Sequence, residues 1–71
     1  MNKPYFILAV RWQDGGKWFA EFGDYSKSVV EQERRDMLDG YDAPKARNAK
    51  VVRAANGSQA AYNAAMDALN A

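Results

Sequence analysis

The chain contains neither cysteine nor histidine. Without cysteine no disulfide and no thiolate metal site can support the fold, so the apolar residues must form the core. Without histidine the chain lacks the side chain that titrates nearest neutral pH and the commonest metal ligand. A nucleophile and its base would have to come from Ser, Lys, Tyr or carboxylates, which is a minority arrangement. We therefore expect a non-enzymatic protein with no catalytic residue, no cofactor and no metal site.

Long hydrophobic runs are also missing. The run near the start, YFILAV after Pro4, is six residues long. It is too short for the apolar region of a signal peptide or for a membrane helix, which predicts a soluble, cytoplasmic protein. At 71 residues the chain is expected to form one domain, residues 1–71, with a modest core and little room for a deep pocket.

Charge is small in total, at +1, but it is unevenly spread. Residues 24–42 hold six acidic and three basic side chains, a net of −3, whereas residues 43–53 hold four basic and no acidic ones. Two neighbouring patches of opposite sign, or simply an ordinary solvated surface, would both fit this pattern. The four basic residues are Lys45, Arg47, Lys50 and Arg53.

Two strands joined by a tight turn are predicted in the first third of the chain. YFILAVRW (residues 5–12) and KWFAEF (residues 17–22) are rich in β-forming residues, and DGG lies between them. A three-residue loop would place the even-numbered residues of both strands on one face, which we take as the core. The expected pairs are Trp12 with Trp18, Val10 with Ala20, and Leu8 with Phe22.

The remainder of the chain predicts helix, strand and helix. Residues 23–40 fit a helix that ends at Gly40, AKVVRA (residues 49–54) a third strand, and residues 56–71 a helix capped by Ser58. The fold class is therefore α+β, in the order β-β-α-β-α. A right-handed crossover makes the second and third strands parallel, and the most apolar strand belongs in the centre, giving sheet order 2-1-3. We expect two layers, with both helices on the face that carries Trp12 and Trp18.

That arrangement leaves the other sheet face open. Adjacent Val51 and Val52 point to opposite sides, and which one faces the core stays undecided. An uncovered apolar patch with a charged rim could bind a protein partner, or could bind single-stranded nucleic acid through stacking on Tyr5 and Phe19. It could equally be a homodimer seam, or an exposed sheet whose aromatic residues stabilise one another. The candidate partner-binding residues are Tyr5, Ile7, Arg11, Lys17 and Phe19.

A second candidate surface is the outer face of the first predicted helix. An acidic helix can dock in a basic groove of another protein that normally holds nucleic acid. A solvated helix face with no partner is the plainer interpretation. The residues of this face are Glu31, Gln32, Arg35, Asp36 and Asp39.

A longer pattern runs through the chain: Trp18, Phe22-Gly23-Asp24-Tyr25, Val29-Val30, Gln32-Glu33 and, near the end, Leu69-Asn70. This pattern resembles small uncharacterised phage and prophage proteins, and its motifs imply a fold more than an activity. In its size and scarcity of motifs the chain is also similar to phage-encoded inhibitors of host defence, such as anti-CRISPR proteins. That resemblance implies a stoichiometric binder that occludes a surface of a host complex. It assigns no functional residue.

Overall fold

The computed structural model describes residues 3–40 and 46–71. The chain forms β1 (Tyr5–Val10), β2 (Phe19–Asp24), α1 (Lys27–Leu38), a short 3₁₀ turn (Ala46–Asn48), β3 (Ala49–Ala54) and α2 (Gln59–Leu69). The α+β class and the order β-β-α-β-α are confirmed. Lys45, one of the four basic residues noted above, lies outside the described residues.

The sheet has the predicted strand order, β2-β1-β3. β1 pairs antiparallel with both neighbours, so β2 and β3 run parallel to each other at the two edges. Neither helix described here is long and apolar enough to cross a membrane. α2 begins at the predicted cap, where the Ser58 hydroxyl accepts a hydrogen bond from the Ala61 amide at 3.1 Å.

The two helices cover opposite faces of the sheet. Ile7 and Ala9 pack in a cluster with Met66 of α2, whereas Leu8 packs in a second cluster with Val30 of α1. Because successive residues of a strand point to opposite sides, these clusters lie on different faces. The architecture is therefore three layers, α2–sheet–α1. The prediction of two layers with both helices on one face is wrong.

The physical reason is the continuous apolar run of β1. Its last four residues, 7–10, are each at most 1% exposed, which requires cover on both sides. A strand buried on both faces has a nearly continuous apolar sequence instead of strict alternation. The adjacent valines of β3 follow the same rule, since Val51 joins the α1-side cluster and Val52 the α2-side cluster. Neither side of β1 is left as the open sheet face on which the sequence-based binding, dimer and exposed-sheet interpretations depended.

A β-bulge interrupts the pairing of β1 with β2. Leu8 lies opposite Phe22, as predicted, but the next pair is Ala9 with Ala20. Glu21 is thus an extra residue on β2, and its insertion reverses the alternation of side chains beyond it. The face assignment of β2 was correct at Phe22 and wrong at Ala20, which packs on the α2 side.

The pairing ends earlier than predicted, at Val10 with Phe19. The connection between the strands is therefore residues 11–18 instead of a three-residue loop, and the predicted pairs Val10–Ala20 and Trp12–Trp18 do not form. Beyond the bulge Trp18 packs in the α2-side cluster. Phe19 consequently points to the α1 side.

Substitution of Ile7 tests whether α2 covers the face of the sheet on which this side chain lies. We expect Ile7→Ala and Leu8→Ala each to lower the free energy of unfolding by about 2–5 kcal/mol in urea titrations, because each removes a fully buried side chain. Val29→Ala, at a position 42% exposed on α1, is the control and should change it by about 0.5 kcal/mol or less. An Ile7→Ala effect as small as the control would contradict the three-layer arrangement.

Candidate functional site

The structure separates the five residues predicted to bind a partner. Ile7 is fully buried beneath α2 and cannot contact a partner, which corrects its assignment. Tyr5 is half-buried at the far end of β1. Lys17 lines one cleft with Phe19 and another with Arg11, around the loop between β1 and β2. Arg11 and Phe19 lie on opposite sides of that loop, so the prediction that they share one sheet face is wrong. We call this end of the molecule, residues 11–19, the hairpin end.

Tyr5 has a packing role. Its ring meets the ring of Tyr25 edge to face, with centroids 5.0 Å apart and an interplanar angle of 81°. The ring also lies directly over Gly23, where an added Cβ would come within 2.6 Å of Cε2 of Tyr5. The glycine therefore makes room for the tyrosine, and the Tyr5 ring is not a free platform for stacking a base.

Two aromatic rings are exposed at the hairpin end instead. Trp12 is 57% and Phe19 51% exposed. They line a cleft of about 160 Å³ together with Gln13, Gly16 and Lys17, which we call the hairpin cleft. Trp12 was assigned to the core from the sequence, and this assignment is wrong because the strand pairing stops at Val10.

A tight turn gives the hairpin cleft its shape. The amide of Gly16 donates to the carbonyl of Gln13 at 2.9 Å. Gly15 between them has φ of +79°, in the left-handed region that favours glycine. The turn folds residues 12–13 back against residues 16–19, which brings the Trp12 and Phe19 side chains to one cleft.

The other side of the hairpin end carries positive charge around Trp18. Trp18 is only 8% exposed, and its ring centroid lies 4.8 Å from Cζ of Arg11 and 4.7 Å from Nζ of Lys50. Both contacts are cation–π interactions. A cleft of about 420 Å³ opens beside them, and we call it, together with Lys50, the basic cleft. Its lining residues are Arg11, Gly15, Gly16, Lys17, Trp18, Leu69, Asn70 and Ala71.

Asn70, just after α2, holds the wall of the basic cleft in place. Its Oδ1 accepts a hydrogen bond from the backbone amide of Trp18 at 2.8 Å, and its Nδ2 donates to the Trp18 carbonyl at 3.1 Å. The side-chain amide thus pairs with Trp18 as a neighbouring strand would. The helical pattern places Asn70 with Asn63 and Asp67 on the water-facing side, and for Asn70 this is wrong because its partner lies 52 residues away in the chain.

A hydrogen-bond network ties the hairpin end to the 3₁₀ turn. Nε of Arg11 donates to Oδ1 of Asn48 at 2.8 Å, and Nδ2 of Asn48 donates to Oδ1 of Asp14 at 2.9 Å. Arg47 forms an ion pair with the same carboxylate. The hydrogen bond that Arg47 donates to Asp14, and then the negative charge of that carboxylate, raise the pKa of Arg47 above its ordinary value.

These contacts divide the cations in and beside the hairpin end into those that are paired with a carboxylate and those that are not. The charge of Arg47 is neutralised by Asp14. Arg11, Lys17 and Lys50 form no ion pair with any carboxylate in the part of the chain that the structure describes. Within the residues that the structure describes, the basic cleft therefore carries positive side chains that no acidic side chain neutralises.

The acidic face of α1 is exposed and has contacts of its own. Nε2 of Gln32 donates to Oδ1 of Asp36 at 2.9 Å, and Arg35 donates to Oε1 of Gln32 at 2.9 Å. Glu31 pairs with Lys27, at 3.8 Å, and not with Arg35. Asp39 is exposed at the C-terminal end. These side chains satisfy one another along the helix, as expected of a solvated face.

The described residues of the hairpin end contain no cluster of possible metal ligands. Over residues 3–40 and 46–71, no group of three or more acidic side chains converges in a way that could hold a metal ion. The groups that can contact a partner here are two exposed aromatic rings, at the hairpin cleft, and three cations with no ion pair to a described carboxylate, at the basic cleft.

Replacing Asn70 tests the link between α2 and β2. We expect Asn70→Ala to lower the free energy of unfolding by about 1–3 kcal/mol, because it removes two hydrogen bonds from partly buried backbone groups. Hydrogen exchange at the Trp18 amide should accelerate. Asn63→Ala, on the exposed side of α2 with a hydrogen bond only to Gln59, is the matched control with an effect within about 0.5 kcal/mol. Unchanged exchange at Trp18 would contradict the link.

Three kinds of comparison with known proteins give the same result. No protein-family model, no curated protein and no solved structure matches this chain. The choice among functions therefore rests on the geometry and charge of the hairpin end.

Proposed function

We propose that this chain is a small non-enzymatic protein-binding module that contacts its partner through the hairpin end. The observation that carries the proposal is the exposure of Trp12 and Phe19, at 57% and 51%, side by side in a fold that otherwise buries both sheet faces. Aromatic side chains in a polar rim are typical of the residues that dominate protein interfaces.

The size of the hairpin cleft favours a protein partner over a small molecule. Small-molecule sites have volumes of about 300–1,000 Å³ and enclose most of their ligand. The hairpin cleft, at about 160 Å³, lies below that range. It suits a single apolar side chain from a partner surface, with Gln13 and Lys17 at its rim.

The mode of action that we propose is stoichiometric occlusion. A chain of 71 residues without histidine or cysteine is poorly equipped for catalysis, but it is large enough to cover part of a larger surface. The similarity in size and motif scarcity to phage-encoded anti-defence inhibitors, anti-CRISPR proteins among them, supports a host complex in the cytoplasm as the target.

The nucleic-acid alternative loses the surface on which it was based. It required stacking on Tyr5 and Phe19 across an open sheet face, but Tyr5 packs against Tyr25 and Gly23, and α2 covers Ile7 beside it. At the hairpin end Trp12 and Phe19 remain as exposed rings, and both are equally suited to a protein contact.

Capture experiments with the immobilised protein test the proposal. We expect Phe19→Asp and Trp12→Ala to reduce capture of the partner from a bacterial lysate by roughly thirty-fold or more, the effect of a loss of about 2 kcal/mol at an interface hot spot. Both residues are exposed, so the fold should persist in each variant.

Val29→Asp is the matched control for these variants. It places the same charge at an exposed apolar position of the first turn of α1, where a carboxylate is compatible with the helix dipole. The Val29→Asp variant should capture as much of the partner as the wild type does. If Phe19→Asp captured the partner as well as Val29→Asp, the hairpin end would not be the binding surface.

A further inference from the structure

The basic cleft specifies the chemistry of the partner that the hairpin cleft binds. We propose that the partner is a protein segment bearing carboxylates, which contact Arg11, Lys17 and Lys50 while an apolar side chain of the same segment occupies the hairpin cleft. The inference rests on the proposed function and adds the charge of the partner to it.

The first support is the proximity of like charges. Arg11 and Lys50 each lie within 5 Å of the centroid of the same Trp18 ring, so the two cations are within about 10 Å of each other, a range over which like charges repel. The cation–π contacts and the hydrogen bond from Arg11 to Asn48 hold them there. A carboxylate bound near them would offset that repulsion and gain charge-assisted hydrogen bonds.

The second support is the contrast with Arg47. Among the described residues, this end of the molecule holds four cationic side chains, at positions 11, 17, 47 and 50, and one carboxylate side chain, that of Asp14. Four positive charges and one negative charge leave a net of +3, although the whole chain has only +1. Positive potential is therefore concentrated at the end of the molecule that also carries the exposed aromatic rings. Such a potential favours encounter with an acidic surface.

The third support is the continuity of the two clefts. Gly16 and Lys17 line both of them. A segment that crosses the chain at these residues can place one side chain against Trp12 and Phe19 and another toward Arg11. Successive side chains of an extended segment point to opposite sides, which fits an alternation of apolar and acidic residues.

The arrangement favours a carboxylate-bearing segment over single-stranded nucleic acid. Proteins that bind single-stranded nucleic acid by base stacking place aromatic rings and cations along one groove, so that the bases and the phosphates of the strand are bound together. Here Phe19 points to the α1 side, whereas Arg11 and Lys50 contact the buried Trp18 on the α2 side. Three uncompensated cations also give only a modest phosphate contribution to affinity.

Titrations with defined probes test the proposal in the absence of any cellular partner. One probe is a short peptide of glutamate residues around a leucine; the second replaces every glutamate by lysine; the third is oligothymidine. The two indole N–H signals in NMR spectra report the sites separately, Trp12 the hairpin cleft and Trp18 the basic cleft. We expect the glutamate peptide to shift both signals, with binding that weakens as salt is added, and the other two probes to shift neither.

Substitutions identify the cations responsible. Lys17→Gln and Lys50→Gln should each weaken binding of the glutamate peptide by about two- to five-fold, the effect of losing one partly exposed ion pair. Lys27→Gln, which removes a lysine paired with Glu31 on α1, is the matched control and should leave it unchanged. Binding of oligothymidine in preference to the peptide, or no shift of Trp18 with the peptide, would overturn the proposal.

The same variants in the capture experiment separate this inference from the proposed function. If Phe19→Asp abolished capture while Lys17→Gln and Lys50→Gln left it unchanged, the hairpin end would be the binding surface and the acidic partner would be refuted. If Phe19→Asp had no effect on capture, the proposed function would be refuted, whatever the peptide titration showed.

Discussion

Burial of β1 from both sides is the constraint on which the rest of the structure depends. A small domain has few residues with which to cover a strand, and here the four residues 7–10 demand cover on two faces. One helix is assigned to each face: α1 seals Leu8 and Val10, and α2 seals Ile7 and Ala9. Neither face of the central strand is then left for recognition, and the exposed aromatic Phe19 lies at one end of the edge strand β2.

The bulge at Glu21 determines what that end displays. Without the extra residue, Trp18 and Phe19 would exchange sides, because strand alternation would continue unbroken from Phe22. With it, Trp18 enters the α2-side cluster, where Asn70 pairs with its backbone, and Phe19 points to the α1 side and remains half-exposed. One inserted residue thus puts the two neighbouring aromatic residues in different environments. Trp18 is buried and contacts two cations, whereas Phe19 is exposed and can contact a partner.

Element types and strand order were predictable because they depend on local signals. Glycine at position 15 marked the turn, Ser58 marked the start of a helix, and the apolar run marked the central strand. The side of the sheet that each helix covers was not correctly predicted, although the run YFILAV carried the signal, since unbroken apolar sequence indicates cover on both faces.

The candidate site was predictable only in part, and for a different reason. Phe19 was correctly expected to be exposed, with Lys17 near it. Arg11 was expected on the same sheet face as Phe19, and this is wrong because it lies on the α2 side, over Trp18. A bulge has no reliable mark in a single sequence, so the faces of Trp12 and Trp18 could not be derived from parity. The contacts of Trp18 with Lys50 and Asn70 join residues 32 and 52 positions apart, and such pairings are set by the tertiary fold.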